Sequence, residues 1–443
     1  MNIKGKIAQD AIYIYNSIVS NGFQVFLVGG SVRDIILSKA VKDYDFATSA
    51  RTDDLLKIFP SAIRFGEKFG TILVIRNGFN FEITTFRKEE KYSDKRHPDV
   101  IEFIDNIDED LKRRDFTINA LAYDFENDRI IDKFGGLEDI RKKSVKCVGN
   151  PDDRFMEDAL RLMRAVRFAL NFGFDIEENT KNSIKKLAFM INDISKERLR
   201  DEFLKIIDMP KPSLGIEMLR HLGLLQYIIP ELLVCVDVEQ NKFHSLDVYK
   251  HILLSLDNAD KSIRIAALLH DIAKPQTKNG EHFYNHENIG ACMAEEILAR
   301  LKFPKSEISK ISKLISLHLF HYTPDWTDAA IRRFLIKVGD DDTLEKLFLL
   351  RIADEKGNPI SKYQFSNLDA LKARIEKVKN ENDALSLKDL KVNGDDLLNL
   401  GFSRGKEIGD ILSKMLDLVI DNPKLNNRKY LLGFAKNKLD YKQ

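Results

Sequence analysis

The period of apolar and polar positions changes near residue 150. Before that point, short runs with strand character, FQVFLV (23–28), TILVI (71–75), FNFEITTF (79–86) and RIIDKF (129–134), alternate with helical stretches at 3–20, 31–38 and 52–59. Beyond it, spacings of three and four run almost unbroken through DDRFMEDALRLMRAVRFALNF, TKNSIKKLAFMI, SKERLRDEFLKII and PSLGIEMLRHLGLLQYI. The pattern predicts an α+β protein in which a small head with a mixed β-sheet is followed by helical domains. We divide it into a head at 1–140, a helical neck at 141–208, a linking body at 209–240, a histidine-bearing domain at 241–360 and a helical tail at 361–443. Pro210 and Pro212 punctuate one boundary, and no fixed-period repeat or low-complexity tract interrupts the series.

Composition narrows the class. A chain of 443 residues is long for one core at roughly 100 to 200 residues per domain. With 44% hydrophobic and 31% charged residues, it holds no apolar run near the roughly 20 residues that span a bilayer. MNIKGKIAQDAIYIYNSIVSNG reads as an amphipathic helix rather than an export signal, and Cys147, Cys235 and Cys292 have no metal or disulfide spacing. We expect a cytoplasmic protein with no membrane partner; its oligomeric state is not legible. The net charge of +1 says nothing about nucleic acid, but residues 361–443 hold 16 Lys/Arg against 12 Asp/Glu.

Candidate chemistry begins with FLVGGSVRDIILSKAVKDYDFATSA. On a strand, Asp43 and Asp45 project from one face and Tyr44 from the other. Two carboxylates on one face repel, a cost that a divalent cation relieves, and hard Mg²⁺ prefers carboxylate and phosphate oxygens. Glu82, on a second alternating strand, can add a third acid, a set suited to in-line phosphoryl transfer. Gly29 and Gly30 close a strand ahead of Ser31, a candidate helix cap, so that backbone N–H groups and Arg33 could hold a triphosphate. Taken alone, the stretch also reads as a tight turn followed by solvated acids.

GGSVRD followed by KDYDFAT resembles the nucleotidyltransferase signature of class II CCA-adding enzymes and bacterial poly(A) polymerases, in which the two aspartates hold Mg²⁺. LKRRDFTINALAYD (111–124) resembles the second motif of that family, which implies that Arg114, Asp115 and Asn119 support the phosphates and sugar of the nucleotide. TTFRKEEKYSDKRHPDVIEF (84–103) resembles the flexible loop that CCA- and A-adding enzymes need to accept ATP. KFGTILV (68–74) and ISKERLRDEFLKII (194–207) resemble a strand and the neck motif of the same family.

A helical wheel of RFMEDALRLMRAVRFAL gathers Phe155, Ala159, Leu162, Val166 and Ala169 in one sector, extended by Met156, Met163 and Leu170. Arg161, Arg164 and Arg167 fan across the other side, with Asp158 about 60° from Arg161. An ionised Asp only accepts hydrogen bonds and Arg only donates. Cytosine and adenine each offer an amino donor beside a ring acceptor, whereas uracil and guanine present a carbonyl to the carboxylate. EDALR resembles the family's EDxxR motif, which implies that Asp158 and Arg161 select the base, with Arg164 and Arg167 near the incoming nucleotide. The same spacing also fits a simple ion pair between Asp158 and Arg161.

Seven of the nine histidines lie between His244 and His321. His251, His270 with Asp271 in AALLHDIAKPQT, and Asp354 look like the metal set of HD-domain phosphohydrolases, and His286 and His318 resemble extra histidines found in some of them. This implies a divalent metal of unidentified kind. LKVNGDDLLNLGFSRGKEIGDILSKML resembles the tRNA-gripping tail of the family, where lysines contact phosphates without reading sequence. The expected activity is addition of CMP and AMP to tRNA 3′ ends from CTP and ATP, releasing pyrophosphate. The alternatives are an A-adding enzyme, a poly(A) polymerase, or an HD phosphohydrolase whose head only binds RNA. SAIRFGEKF in place of an arginine-rich GRRF stretch disfavours the polymerase.

Overall fold

The computed structural model describes residues 3–41, 43–64, 70–90, 100–241, 245–360, 365–380 and 386–440. The chain divides into two compact units, Met1–Leu233 and Val234–Gln443. Strands of the first unit include β1 (Val25–Val28), β2 (Asp43–Thr48), β3 (Ile63–Arg64), β4 (Thr71–Arg76), β5 (Phe79–Thr85), β6 (Arg87–Glu90), β7 (Val100–Phe103), β8 (Leu121–Asp124) and β9 (Arg129–Asp132). Seven of them make one mixed sheet in the order β3-β4-β5-β2-β1-β8-β9, while β6 and β7 pair as a separate ribbon. Only β2 and β5 run parallel to each other in the large sheet; its other neighbours are antiparallel.

Alternation sorts β2 and β5 into an aromatic face and a polar face. Tyr44, Phe46, Phe81 and Ile83 are buried, with the Tyr44 and Phe81 rings stacked 5.6 Å apart. The other face carries Asp43, Asp45, Asn80 and Glu82, and the parallel register sets Asp43 opposite Asn80 and Asp45 opposite Glu82. Strand β8 shows no such alternation, because all four of its residues are buried.

Two expectations about local structure are corrected. The helix after the glycine pair starts at Gly29 and runs to Ile36, so Ser31 lies inside it and is not its cap. The Ser31 hydroxyl instead donates to the Asp43 carbonyl (3.2 Å) and accepts from the Asp45 N–H (2.8 Å), tying the helix to the acidic strand. The expected single helix through EDALR is two, Pro151–Glu157 and Leu160–Phe172, separated at Asp158, whose backbone is extended (φ −145°, ψ 104°). Asp158 Oδ1 accepts from the Leu160 N–H at 3.1 Å, a local bond that competes with helical pairing. Phe155, Ala159, Leu162, Met163, Val166 and Ala169 are buried, but Met156 is 48% exposed, since the break takes its helix off the common wheel.

The second unit is almost wholly helical, including Val248–Asn258, Arg264–Leu269, His286–Arg300, Lys305–Leu317 and Asp341–Lys356. Its tail helices Lys406–Asp421 and Arg428–Asp440 close on a core that includes Leu397, Phe402, Met415, Val419 and Leu431, leaving Lys406, Lys414, Lys424, Lys429 and Lys436 exposed. No helix among the described residues is long and apolar enough to cross a membrane. The ends of the expected mobile loop form the β6–β7 ribbon, whereas its residues 91–99, residues 65–69 and His244 lie outside the described residues.

Candidate nucleotide site and histidine cluster

On the polar face of the sheet, Asp43 Oδ1 accepts a hydrogen bond from Asn80 Nδ2 at 2.8 Å. Burial pushes the Asp45 carboxyl up to about 6, with Arg114 pulling it down and Glu82 and Asp43 adding to the rise. Burial and the Asp43 charge likewise raise Glu82. Asp45 and Glu82, both harder to ionise here than in water, form with Asp43 a fitting donor set for a hard divalent cation.

Gly29 takes φ +64°, and a Cβ there would lie 2.5 Å from Arg114 Nη1 and 3.6 Å from Asp45 Oδ2. Only glycine lets the Arg114 guanidinium cross the helix start beside the acid. A Cβ on Gly30 would sit 3.4 Å from Arg33 Nη2. The buried Arg33 lies over the Phe172 ring at 4.5 Å, and it donates from Nε to Asp34 (2.9 Å) and from Nη1 to Asn119 Oδ1. Asn119 Nδ2 donates to Asp115 Oδ1 (2.9 Å), and Asp115 Oδ2 accepts from Arg164 Nε (2.8 Å) and Nη2 (2.6 Å). Burial would raise Asp115, but Arg164 and Asn119 hold its carboxyl far below the usual carboxylate range. Beneath this chain the fully buried Asp110 accepts from Arg113 Nη2 (2.8 Å) and Arg114 Nη2 (3.3 Å), fixing both guanidinium groups.

These groups surround a cavity of about 530 Å³, of a size to take a nucleotide. Its lining holds seven arginines, Arg33, Arg87, Arg113, Arg114, Arg161, Arg164 and Arg198, against four acids, Asp45, Glu82, Asp115 and Asp158, an excess that suits a polyanion. Gly30 and Asn119 also line it, whereas Gly29, Asp43 and Arg167 do not. Arg167 is committed elsewhere, to an ion pair with the buried Glu202 on the helix Lys196–Ile207.

The Asp158–Arg161 ion pair considered in the sequence is not formed. Arg161 Nη1 bonds Glu157 Oε2 (2.6 Å) and the Arg154 carbonyl (3.1 Å), and its Nη2 bonds the Arg113 carbonyl (3.2 Å). Asp158 Oδ2 instead pairs with Arg198 Nη2 at 2.8 Å. Sequence reasoning missed Arg198, Arg113 and Arg87 as cavity residues. Arg198 was within reach, since it lies in the stretch ISKERLRDEFLKII already singled out.

In the second unit His251, His270, Asp271 and Asp354 converge. The helix Arg264–Leu269 ends one residue before His270, so His270 and Asp271 lie just past its end rather than on it. His251 Nε2 is 3.1 Å from Asp354 Oδ1, and both His251 Nε2 and His270 Nε2 are 3.3 Å from Asp271 Oδ2. On the other side, Asp271 Oδ1 faces His286 Nε2 (3.3 Å) and His318 Nε2 (3.8 Å). Two groups can therefore hold a metal ion, His251 with His270 and Asp354, and Asp271 with His286 and His318. Among the described residues the buried His286 Nε2 has no partner in hydrogen-bond geometry, although Asp271 Oδ1 lies near it, as for a nitrogen and an oxygen aimed at a common ion. Burial opposes charge on His270, but Asp271 and Asp354 push it up to about 10, whereas burial and His270 take His318 down to about 3.

Comparison with known proteins follows the same division. A family model described as "Poly A polymerase head domain" matches residues 25–146, one described as "Probable RNA and SrmB- binding site of polymerase A" matches residues 173–235, and one described as "HD domain" matches residues 243–357. Fold and site together define a nucleotidyltransferase that carries an HD domain. The chain is 32% identical over 436 residues to a CCA-adding enzyme of Ligilactobacillus salivarius, covering 98% of this chain and 97% of that one. It belongs to the CCA-adding enzyme family. A CCA-adding enzyme of Geobacillus sp. is 42% identical over 220 residues, so the matched stretch spans 50% of this chain and about half (54%) of that relative. Among solved structures, the Bacillus stearothermophilus CCA-adding enzyme in complex with CTP superposes with a TM-score of 0.71 at 25% identity, covering 98% of each chain.

Proposed function

We infer that this protein adds CMP and then AMP to the 3′ end of tRNA, using CTP and ATP and releasing pyrophosphate, without a nucleic-acid template. The observation that carries the reading is a single cavity in which the acidic face of β2 and β5 meets an arginine cluster fixed from below by Asp110 and Asp115. Asp43 and Asp45, assisted by Glu82, would hold Mg²⁺. A divalent ion bound there supplies electrostatic stabilisation to in-line attack of an RNA hydroxyl on the α-phosphate. Arg33 and Arg114 hold the triphosphate beside the acids, the start of the helix at Gly29 and Gly30 lets the substrate approach the backbone, and Asn119 and Asp115 keep Arg33 and Arg164 aimed inward. Asp158 accepts from the amino group of the base and Arg161 offers donors to its ring acceptor. The Bacillus stearothermophilus relative was solved with CTP, which agrees with a cytidine nucleotide in the cavity.

The division into head, neck, body, HD domain and tail is part of this proposal, as are a cytoplasmic location and tRNA binding by the exposed lysines of the tail. At the HD site, His251, His270, Asp271 and Asp354 would hold a divalent metal. The opposed oxygens of Asp271 leave a second position toward His286 and His318. The chemistry supplied there would be phosphohydrolysis.

The deciding experiment supplies tRNA lacking all three, two or one of its terminal nucleotides, with CTP, ATP or both, and sequences the products. CMP addition to the shortest tRNA is expected; AMP addition only to the longest would make the protein an A-adding enzyme.

A further inference from the structure

Phe168, on the helix Leu160–Phe172, is buried, yet it forms part of the wall of the nucleotide cavity. Three guanidinium groups lie over its ring, Arg167 at 4.4 Å from the centroid, Arg164 at 5.1 Å and Arg33 at 5.4 Å. All three fall within the roughly 6 Å over which the electron-rich face of an aromatic ring attracts a cation. The ring itself is fixed by its neighbours. Phe172 stacks on it at 6.1 Å and Phe116 meets it edge-on at 5.7 Å.

Of the three arginines, Arg33 and Arg164 line the cavity, while the charge of Arg167 is met by Glu202. Arg33 and Arg164 also hang on one hydrogen-bonded chain: Arg33 donates to Asn119, Asn119 to Asp115, and Arg164 to the other oxygen of Asp115. A carboxylate fixes a guanidinium at the expense of its donors and its charge. An aromatic face attracts the same cation without accepting an N–H and without cancelling the charge. Arg164 Nη1 accordingly keeps no protein hydrogen bond among the described residues, since Asp115 takes only Nε and Nη2. The ring also offsets part of the repulsion between two like charges aimed at one cavity.

We propose that Phe168 is a positioning residue for the triphosphate: its ring holds Arg33 and Arg164 side by side with charge and donors still available to phosphate oxygens. The proposal rests on the reading of the cavity as the nucleotide site. It follows that Phe168→Leu, which stays apolar but has no aromatic face, raises KM for CTP and ATP alike by about 5- to 30-fold, far more than it lowers kcat. Preference over UTP and GTP stays as in the parent, because the ring acts on the phosphate-binding groups and not on the base. Phe168→Tyr keeps the ring and most of the affinity. Replacing Phe168 by phenylalanines with one, two and three ring fluorines drains the face at nearly constant shape, so KM climbs stepwise along the series.

The test uses the full-length protein and tRNA lacking its terminal nucleotides. It measures kcat and KM for all four nucleotides, CTP binding by calorimetry and melting temperature for the parent, Phe168→Leu, Phe168→Tyr, the fluorinated series and Arg33→Ala. Affinity that falls with each fluorine at constant melting temperature is the expected result. If affinity ignores fluorination while Arg33→Ala binds CTP poorly, the role of the ring is wrong and the cavity remains the nucleotide site. If Arg33→Ala binds CTP like the parent, the reading of the cavity itself fails. A melting temperature that falls in parallel with affinity would make Phe168 a core residue only, and lost preference for CTP over UTP at unchanged KM would place it in base selection; either overturns the proposal.

Discussion

Asp45 and Glu82 stand directly opposite each other on the parallel strands β2 and β5. Two acids so placed share one cation more readily than two charges. With the Asp45 carboxyl pushed up to about 6, protons compete with the metal below that pH. The Mg²⁺ concentration for half-maximal CMP incorporation should be nearly constant above pH 7 and rise about tenfold per unit of pH below 6. A half-saturation that stays flat down to pH 5 would contradict metal binding by Asp45.

Replacing either acid should affect rate far more than folding. Asp45→Asn and Glu82→Gln remove a like-charge contact, so thermal stability should hold or rise, whereas incorporation with Asp45→Asn should fall at least about 100-fold. Paired melting and single-turnover measurements check this.

Gly29→Ala should damage both stability and binding. Its φ of +64° and the 2.5 Å approach of Arg114 Nη1 to the added Cβ mean that the backbone or the arginine must move. We expect a loss of about 1–3 kcal/mol in chemical denaturation and a raised KM for CTP.

Asp115→Asn takes the counter-charge from the half-buried Arg164 and should cost about 1–3 kcal/mol. The folded-state pKa of Asp115 lies below its unfolded value, so its contribution is complete above about pH 4 and fades as pH falls further. Acid titration of the variant should therefore show a shallower loss of stability below pH 4 than the parent.

At the histidine cluster, metal loading requires neutral imidazoles, yet Asp271 and Asp354 raise His251 and push His270 up to about 10 in the metal-free protein. Calorimetry in buffers of different ionisation enthalpy should detect proton release on Mn²⁺ or Ni²⁺ binding, with affinity rising as pH rises. Elemental analysis should find up to two ions per chain, one after His318→Ala and none after Asp271→Ala. Equal metal content in the parent and His318→Ala would exclude the second position.

Periodicity carried much of the fold. Strict alternation in DYDFAT and FNFEITT put Tyr44, Phe46, Phe81 and Ile83 inside and Asp43, Asp45 and Glu82 on the other face, because side chains on a strand have a fixed period of two. LAYD was not legible as a strand, since burial on both faces erases alternation. Met156 was misplaced because a wheel assumes an unbroken helix, and Asp158 breaks it.

The sequence by itself determined the class of chemistry: which acids, arginines and histidines exist, their order, and the faces that local geometry gives them. Tertiary structure alone decided their partners. The helix Lys196–Ile207 brings Arg198 to Asp158 while Arg161 turns to Glu157, and Glu202 draws Arg167 out of the cavity. A charged side chain close to burial goes to whichever opposite charge or carbonyl the packing puts within hydrogen-bond reach, and residues 40 positions apart in the chain compete for it on equal terms with those three or four away.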